Sequence, residues 1–291
     1  MDVASIAVAL FIVGLIFGSF AGAQVWRLRA RRLDRAKAAG AAYDKREYKR
    51  LAPLMHRTMR DDRSRCLSCG HELAARDLLP LVSWLSTGGR CRYCHTRIGV
   101  FEPLMELGMA VAMVLVYVFW PYPLTTPASI VELILWLVAL VPLGILFAYD
   151  LKWFQLPESL TAPLIVLGVI VAVLHITLAP NHGAALLSTL GGVAILSGVY
   201  FVLWLVSRGR WIGDGDIVLG LGLALLLSDW ELSFIALFAA NFLGCLIVIP
   251  GLARRKISRT TEVQFGPLLI AGAIIALLAG HSILHWYGGL L

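Results

Sequence analysis

Long apolar runs separated by short polar connections dominate the chain, at 3–25, 103–120, 129–149, 160–178, 184–206, 216–229, 232–249 and 265–285. A helix that crosses a bilayer needs about 20 mostly apolar residues. Seven of the runs satisfy this. The exception is 216–229, where only the 11 residues from Ile217 to Leu227 are continuously apolar. The pattern predicts an all-α polytopic membrane protein with eight transmembrane helices. The first run has a small-residue site at Ala21-Gly22-Ala23, as a cleavable secretory signal does. Its start, Met1-Asp2, carries no positive charge and its apolar stretch is longer than a signal core, so it is expected to stay as an anchor.

Composition sharpens the picture by exclusion. Of 291 residues, 59% are hydrophobic and 15% charged, and the mean hydropathy is +0.81. Soluble domains average about 45–50% apolar and about 25% charged. One globular core cannot absorb that excess, so a soluble enzyme of ordinary class is excluded, and so is a disordered chain.

Charge supplies the topology. Between Arg27 and Phe101 lie 18 of the 25 Lys and Arg but only 7 acids, giving that segment +11 against −4 for the rest. Basic residues stay on the cytosolic side of a bilayer. With eight spans, the loops after the first, third, fifth and seventh share a side. They hold those 18 residues, then Lys152, then Arg208 and Arg210, then Arg254, Arg255, Lys256 and Arg259, which together are all 25. The opposite loops are uncharged or acidic, as at Asp229 and Glu231. Both termini are therefore expected away from the cytosol. A basic loop beside a span faces anionic lipid, and no folded DNA-binding motif accompanies it, so the bilayer and not nucleic acid is the expected partner. Three parts follow: a first span at 1–26, a cytosolic basic and cysteine-rich insert at 27–101, whose 27–65 portion reads as a partly helical stretch on the lipid surface, and a seven-helix membrane domain at 102–291.

Four of the five cysteines form Cys66-x-x-Cys69 and Cys91-x-x-Cys94, with 21 residues between the pairs. Two such knuckles chelate one metal, and four thiolates close a tetrahedral zinc site with no open position for a catalytic water. Zinc there is structural. Two disulfides are the rival arrangement, and a reducing cytosolic location argues against them. His71 and His95 follow each knuckle and are read as outlying. Cys245, in an apolar span, reads as a small buried residue.

Ionisable groups at membrane depth are costly and functional by default. Asp150 ends the third span, and Asp216 begins the short sixth one in Gly213-Asp214-Gly215-Asp216. Gly213 and Gly215 remove side chains and let another backbone, such as a substrate strand, approach. By topology both acids lie near the cytosolic boundary. Two carboxyl groups in one poorly hydrated site share a proton, which suits water activation and protonation of a leaving amide. Helix capping, pairing with Lys152, or ion carriage would also place acids here. Asp214 is expected to face water. Glu102 and Glu106, four apart, share a helical face; Glu106 is a possible site-lining residue, and Glu132 is read as polar glue. His175, His281 and His285 are read as interface anchors.

Taken in order, the chain carries Gly18-Ser19-Phe20 with Arg27-Leu28, Cys66-x-x-Cys69-Gly70-His71, Leu79-Pro80-Leu81-Val82-Ser83-Trp84-Leu85, Gly88-Gly89-Arg90-Cys91-x-x-Cys94, Pro103-Leu104-x-Glu106, Asp150 seven residues before Pro157, Gly213-x-Gly215-Asp216 and Phe265-Gly266-Pro267. This resembles the prepilin peptidases, GxGD-type membrane aspartic proteases of type IV pilus and type II secretion systems. The resemblance implies cleavage of the short basic leader of prepilins and pseudopilins after a glycine, at the cytosolic face of the bacterial inner membrane, with Asp150 and Asp216 at the catalytic positions. It also implies N-methylation of the new terminal residue with S-adenosylmethionine. Ala21-Gly22 stand where the family often has Leu-Asn, Val218 where it has a basic residue and Glu158 where it has Asp, and Met59–Asp62 lacks its Glu-Arg-x-Trp pattern. The alternatives are a peptidase without the transferase and an ion-coupled transporter using the two Asp.

Overall fold

The computed structural model describes residues 2–55, 63–253 and 263–289. The basic cluster Arg254, Arg255, Lys256 and Arg259, and the segment Met59–Asp62, lie outside the described residues. The described residues are helical, with no β-strand and two isolated bridges, Arg65 to Glu72 and Arg90 to Arg97. The chain divides into two compact units, Met1–Val114 and Leu115–Leu291.

The first unit begins with α1, Val3–Ala38, capped by the Asp2 carboxylate, which accepts from Ser5 N–H. The expected span ended at 25, but the helix continues without a break to Ala38 and carries the first basic cluster on its extension. Helix propensity explains this, since Ala, Arg and Leu dominate 27–38 and no Gly or Pro interrupts them. A second helix, α2 (Lys45–Leu51), folds back on the extension. Its Asp44 cap accepts from Arg46 and Glu47 N–H, Arg29 and Glu47 pair at 2.5 Å, and Leu51 is fully buried. A short helix α3 (Val82–Ser86) precedes α4, Phe101–Val118. Gly14 and Gly18 of α1 lie directly against the α4 backbone at Ala110 and Glu106, where any side chain would collide. This is the small-residue packing that joins helices in lipid, where apolar burial supplies no net drive.

The second unit contains α5 (Pro127–Trp153), α6 (Glu158–Leu178), α7 (His182–Val193), α8 (Val199–Ser207), α9 (Asp214–Leu227), α10 (Trp230–Ala253) and α11 (Gly266–Gly288). A π-helical turn at Ala194–Gly198 joins α7 to α8 as one continuous element. Glycines again set the closest approaches. Gly168 meets Gly222 O and Leu225, Gly220 meets the Leu196 carbonyl in the π turn, and Gly272 meets Ala236 and Ala240. Ser197 donates to Ile217 O at 2.9 Å, so the widened turn is tied to α9 by side chain as well as backbone.

Among the described residues, seven helices are long and apolar enough to cross a membrane. The remaining expected span, the short sixth one, corresponds to α9, which has 14 residues. At 1.5 Å per residue it is about 21 Å long, short of the roughly 30 Å hydrocarbon thickness. Its Leu219, Leu223, Ala224, Leu226 and Leu227 are all buried, so it lies inside the unit among longer helices. Cys245 is exposed on α10, contrary to the expected burial. In an apolar span, an exposed face meets lipid tails, which accept a thiol as readily as a protein core does.

Candidate functional site

Three helix ends converge on the two aspartates. Phe154 adopts a left-handed conformation (φ 53°, ψ 42°) and its N–H closes on Asp150 O at 2.9 Å, so α5 stops three residues after Asp150. Asp150 is 5% exposed, and its Oδ2 accepts the N–H of Gly266, the first residue of α11, at 3.2 Å. A methyl group at Gly266 would stand 2.8 Å from that oxygen and 3.2 Å from Leu156 Cδ2. Only hydrogen fits.

Asp216 lies in the first turn of α9, behind an extended Gly213 (φ −75°, ψ 153°). Gly215 packs on Leu156, whose Cβ would be 3.1 Å from an added methyl. Leu156 thus touches the starts of both α9 and α11, and the connection after α5 draws the two helix N-termini to the acids. Helix N-termini carry partial positive charge and suit carboxylates. Asp150 and Asp216 lie close enough to interact electrostatically. Asp214, by contrast, is exposed and its Oδ1 accepts from Gly215 N–H at 3.0 Å, as expected of a residue facing water.

Sequence reasoning missed Tyr200. It is 3% exposed, and its ring lies 5.3 Å from Phe265, the residue before the α11 glycine that holds Asp150. A lone Tyr in an apolar span carries no positional signal, and only the fold brings it to the acids. Gly266 was noted as a motif, but its contact with Asp150 was likewise invisible. Glu106 is engaged within the first unit: it is 7% exposed and its Oε2 accepts Leu81 N–H at 2.7 Å. His281 lies 3.5 Å from the Tyr122 hydroxyl.

The cysteines form a second site. The sulfurs of Cys66, Cys69, Cys91 and Cys94 all lie within 4.8 Å of one another, with Cys66 and Cys94 at 3.9 Å. A zinc tetrahedron with Zn–S bonds of about 2.3 Å has S–S edges of about 3.8 Å, so the donor set fits that ion, and the cysteines are free rather than disulfide-bonded. The two knuckles are built alike. Cys66 N–H donates to His71 O at 3.0 Å and Cys91 N–H to Thr96 O at 2.9 Å. In each, the residue after the second cysteine is left-handed, Gly70 at φ 71° and His95 at φ 56°. Hydrogen bonding from Thr96 pulls the Cys94 thiol down to about 6, favouring the thiolate a metal needs, whereas burial pushes the Cys91 thiol up. His71 stacks on Tyr93 at 3.7 Å and both histidines are exposed, outside the sulfur cluster.

Beside the knuckles the first unit encloses a cavity of 240 Å³, bounded by α1, the knuckle loops and the start of α4. Trp26, Arg65, Trp84, Glu102 and Glu106 are on its wall. Asp77 also lines it; burial alone would raise its carboxyl, but bonds from Arg92, Tyr93 and Ala74 N–H outweigh that and hold it below the usual carboxylate range.

Two family models match the chain. The bacterial peptidase A24 N-terminal domain covers residues 12–120, and the type IV leader peptidase family covers residues 136–249. The first holds all four knuckle cysteines and the second holds both aspartates. Among curated proteins, the prepilin leader peptidase/N-methyltransferase of Pseudomonas aeruginosa is 30% identical, covering 95% of this chain and 91% of the relative. Proteins with the same name from Aeromonas hydrophila (30% identical, 96% and 92% covered) and Burkholderia pseudomallei (31% identical, 96% and 87% covered) are similar to it too. No solved structure matches.

Proposed function

The chain belongs to the prepilin leader peptidase/N-methyltransferase family, and from that premise we propose that it removes the basic leader of prepilins and pseudopilins and then methylates the new amino terminus. Asp150 and Asp216 are the catalytic pair in this reading. One carboxylate takes a proton from water as the water attacks the scissile carbonyl, and the other, protonated, gives its proton to the leaving nitrogen. The observation that supports the reading is the convergence of α5, α9 and α11 on Leu156, with Asp150 bonded to the start of α11 and Asp216 in the first turn of α9. Gly213 leaves backbone open beside Asp216 for an extended substrate, whereas the face of Gly215 is taken by Leu156 and serves the packing of α9 instead.

Zinc at Cys66, Cys69, Cys91 and Cys94 fastens the two knuckles and takes no part in hydrolysis, since four thiolates fill its coordination sphere. S-adenosylmethionine supplies an electrophilic methyl group when bound. In the membrane, α9 serves as a short eighth crossing, with the cysteine unit and both acids on the cytosolic side of the inner membrane and the termini opposite.

The test is cleavage of a model prepilin by purified protein. Asp150→Asn and Asp216→Asn should each reduce cleavage by about 10³-fold or more while leaving the thermal unfolding profile in place. A single variant that cleaves at the parental rate removes that residue from the pair.

A further inference from the structure

The cavity of the first unit takes no part in the hydrolysis described above. All of its wall lies inside the N-terminal family match at 12–120, whereas both aspartates lie in the peptidase match at 136–249. The relatives' second activity is a methyl transfer, and the present inference rests on the reading that this chain shares it. The wall suits such a donor. Arg65 is on that wall, its guanidinium held by Gly70 O at 3.2 Å and Glu72 at 3.0 Å with Nε buried and without a partner among the described residues, which leaves positive charge beside the cavity for a carboxylate such as that of S-adenosylmethionine's amino-acid end. Trp84 is on the wall and offers an aromatic ring to an aromatic base or a sulfonium cation, while the Trp26 ring is already covered by the Arg50 guanidinium.

Besides Asp77, which Arg92 and Tyr93 hold, Glu102 and Glu106 stand on this wall one turn apart on α4, and the structure employs them differently. Glu106 is committed to the fold. Its Oε2 accepts the N–H of Leu81, which is held at φ 58°, a conformation a leucine seldom adopts. Glu106 thereby positions the segment around α3 that closes one side of the cavity. Glu102 is only half committed. Its Oε1 accepts the Trp26 indole N–H at 3.1 Å, and that indole is fixed edge-on against Phe101 with centroids 5.3 Å apart. Its second oxygen has no partner among the described residues. It is an oriented carboxylate, part-exposed, at the first turn of an apolar helix.

We infer that Glu102 is the catalytic base of the methyl transfer, receiving the amino terminus of the cleaved substrate in this cavity while Glu106 positions the wall. The terminal ammonium gives a proton to Glu102. The freed nitrogen lone pair forms a bond to the donor's methyl carbon as the carbon–sulfur bond breaks. The sulfur leaves as a neutral thioether, and the nitrogen carries the methyl group and the positive charge.

The experiment uses the full chain in detergent, labelled S-adenosylmethionine and a cleaved model pilin. Glu102→Gln keeps the acceptor for Trp26 and removes the base, so methyl transfer should fall by about 10²-fold or more while equilibrium binding of the labelled donor stays within about threefold. Transfer within about threefold of the parent overturns the assignment. Ser83→Trp, at a part-exposed wall position, should cut donor binding by about tenfold or more by filling the cavity; parental donor affinity places the donor elsewhere and overturns the site. Leader cleavage by the same preparation distinguishes a folded variant from an unfolded one. Should Glu102→Gln fail that check, Glu102→Asp replaces it: in a preparation that still cleaves the leader, transfer above about a tenth of parental supports the base role, and transfer below that overturns it. Absence of both donor binding and transfer in the parent defeats the transferase reading itself, a different result from either of these.

Discussion

The two units solve the problem of holding a site in opposite ways. In the first, the knuckles and cavity are fixed by side chains: four cysteine sulfurs gathered within 4.8 Å, Arg92 and Tyr93 on Asp77, Glu106 on the Leu81 amide, Trp26 on Glu102. In the second, the acids are placed by backbone approach, with Gly266, Gly215 and Gly220 allowing helices and loops to touch where a methyl group would intrude. The difference follows the solvent. Near water, folding gains from polar networks and a metal; within lipid, where apolar burial gives no advantage between helices, close van der Waals contact does the holding. The contrast teaches which substitutions each site tolerates.

Metal removal should give the largest effect. Cys91→Ser, or exhaustive chelation, is expected to lower bound zinc from about one per chain to none and to abolish methyl transfer, because structural zinc contributes on the order of 10 kcal/mol to small metal-held folds. Elemental analysis and both activity assays check it. Leader cleavage that falls in step with zinc would break the separation between the units. Next, Gly266→Ala should reduce leader cleavage by about 10²-fold, since its methyl group would press on the Asp150 oxygen that the glycine N–H now holds. Unaltered methyl transfer in the same variant would sharpen the comparison. Gly220→Ala forces α9 off the Leu196 carbonyl and should destabilise the second unit by about 1–3 kcal/mol, read as a lower unfolding temperature in a fixed detergent. The smallest effect belongs to Glu47→Ala. Its pair with Arg29 is partly exposed, and such pairs contribute about 1 kcal/mol or less, so thermal unfolding should scarcely move.

Much of this was legible in the residue order, because the signals were local. Hydrophobic length reported the spans, and ligand spacing reported the knuckles. Asp150 and Asp216 stood out because charge in an apolar run needs a reason. What depended on approach through space was not legible. Nothing in Phe265-Gly266-Pro267 says that its amide meets an acid 116 positions earlier. Nothing in Leu156 marks it as the residue wedged against two helix starts. The run from Trp26 to Ala38 reads in the sequence as part of a partly helical stretch, and what hydrophobicity does not show is that it continues the first span without a break, since Arg and Ala propagate a helix into water as readily as Leu does in lipid. Glu102 showed the same gap. Its helical partnership with Glu106 was evident, but which of the two has an oxygen left over is decided by an indole and a strained leucine far away in the chain.

The brevity of α9 has a consequence for supply. Hydrolysis consumes one water molecule at each turnover, and an acid pair sealed under hydrocarbon would starve. With a helix of 14 residues, about 9 Å short of the hydrocarbon thickness and enclosed by longer helices, the route for the reactant to Asp216 is expected to run past the short end of α9, between protein walls rather than through lipid.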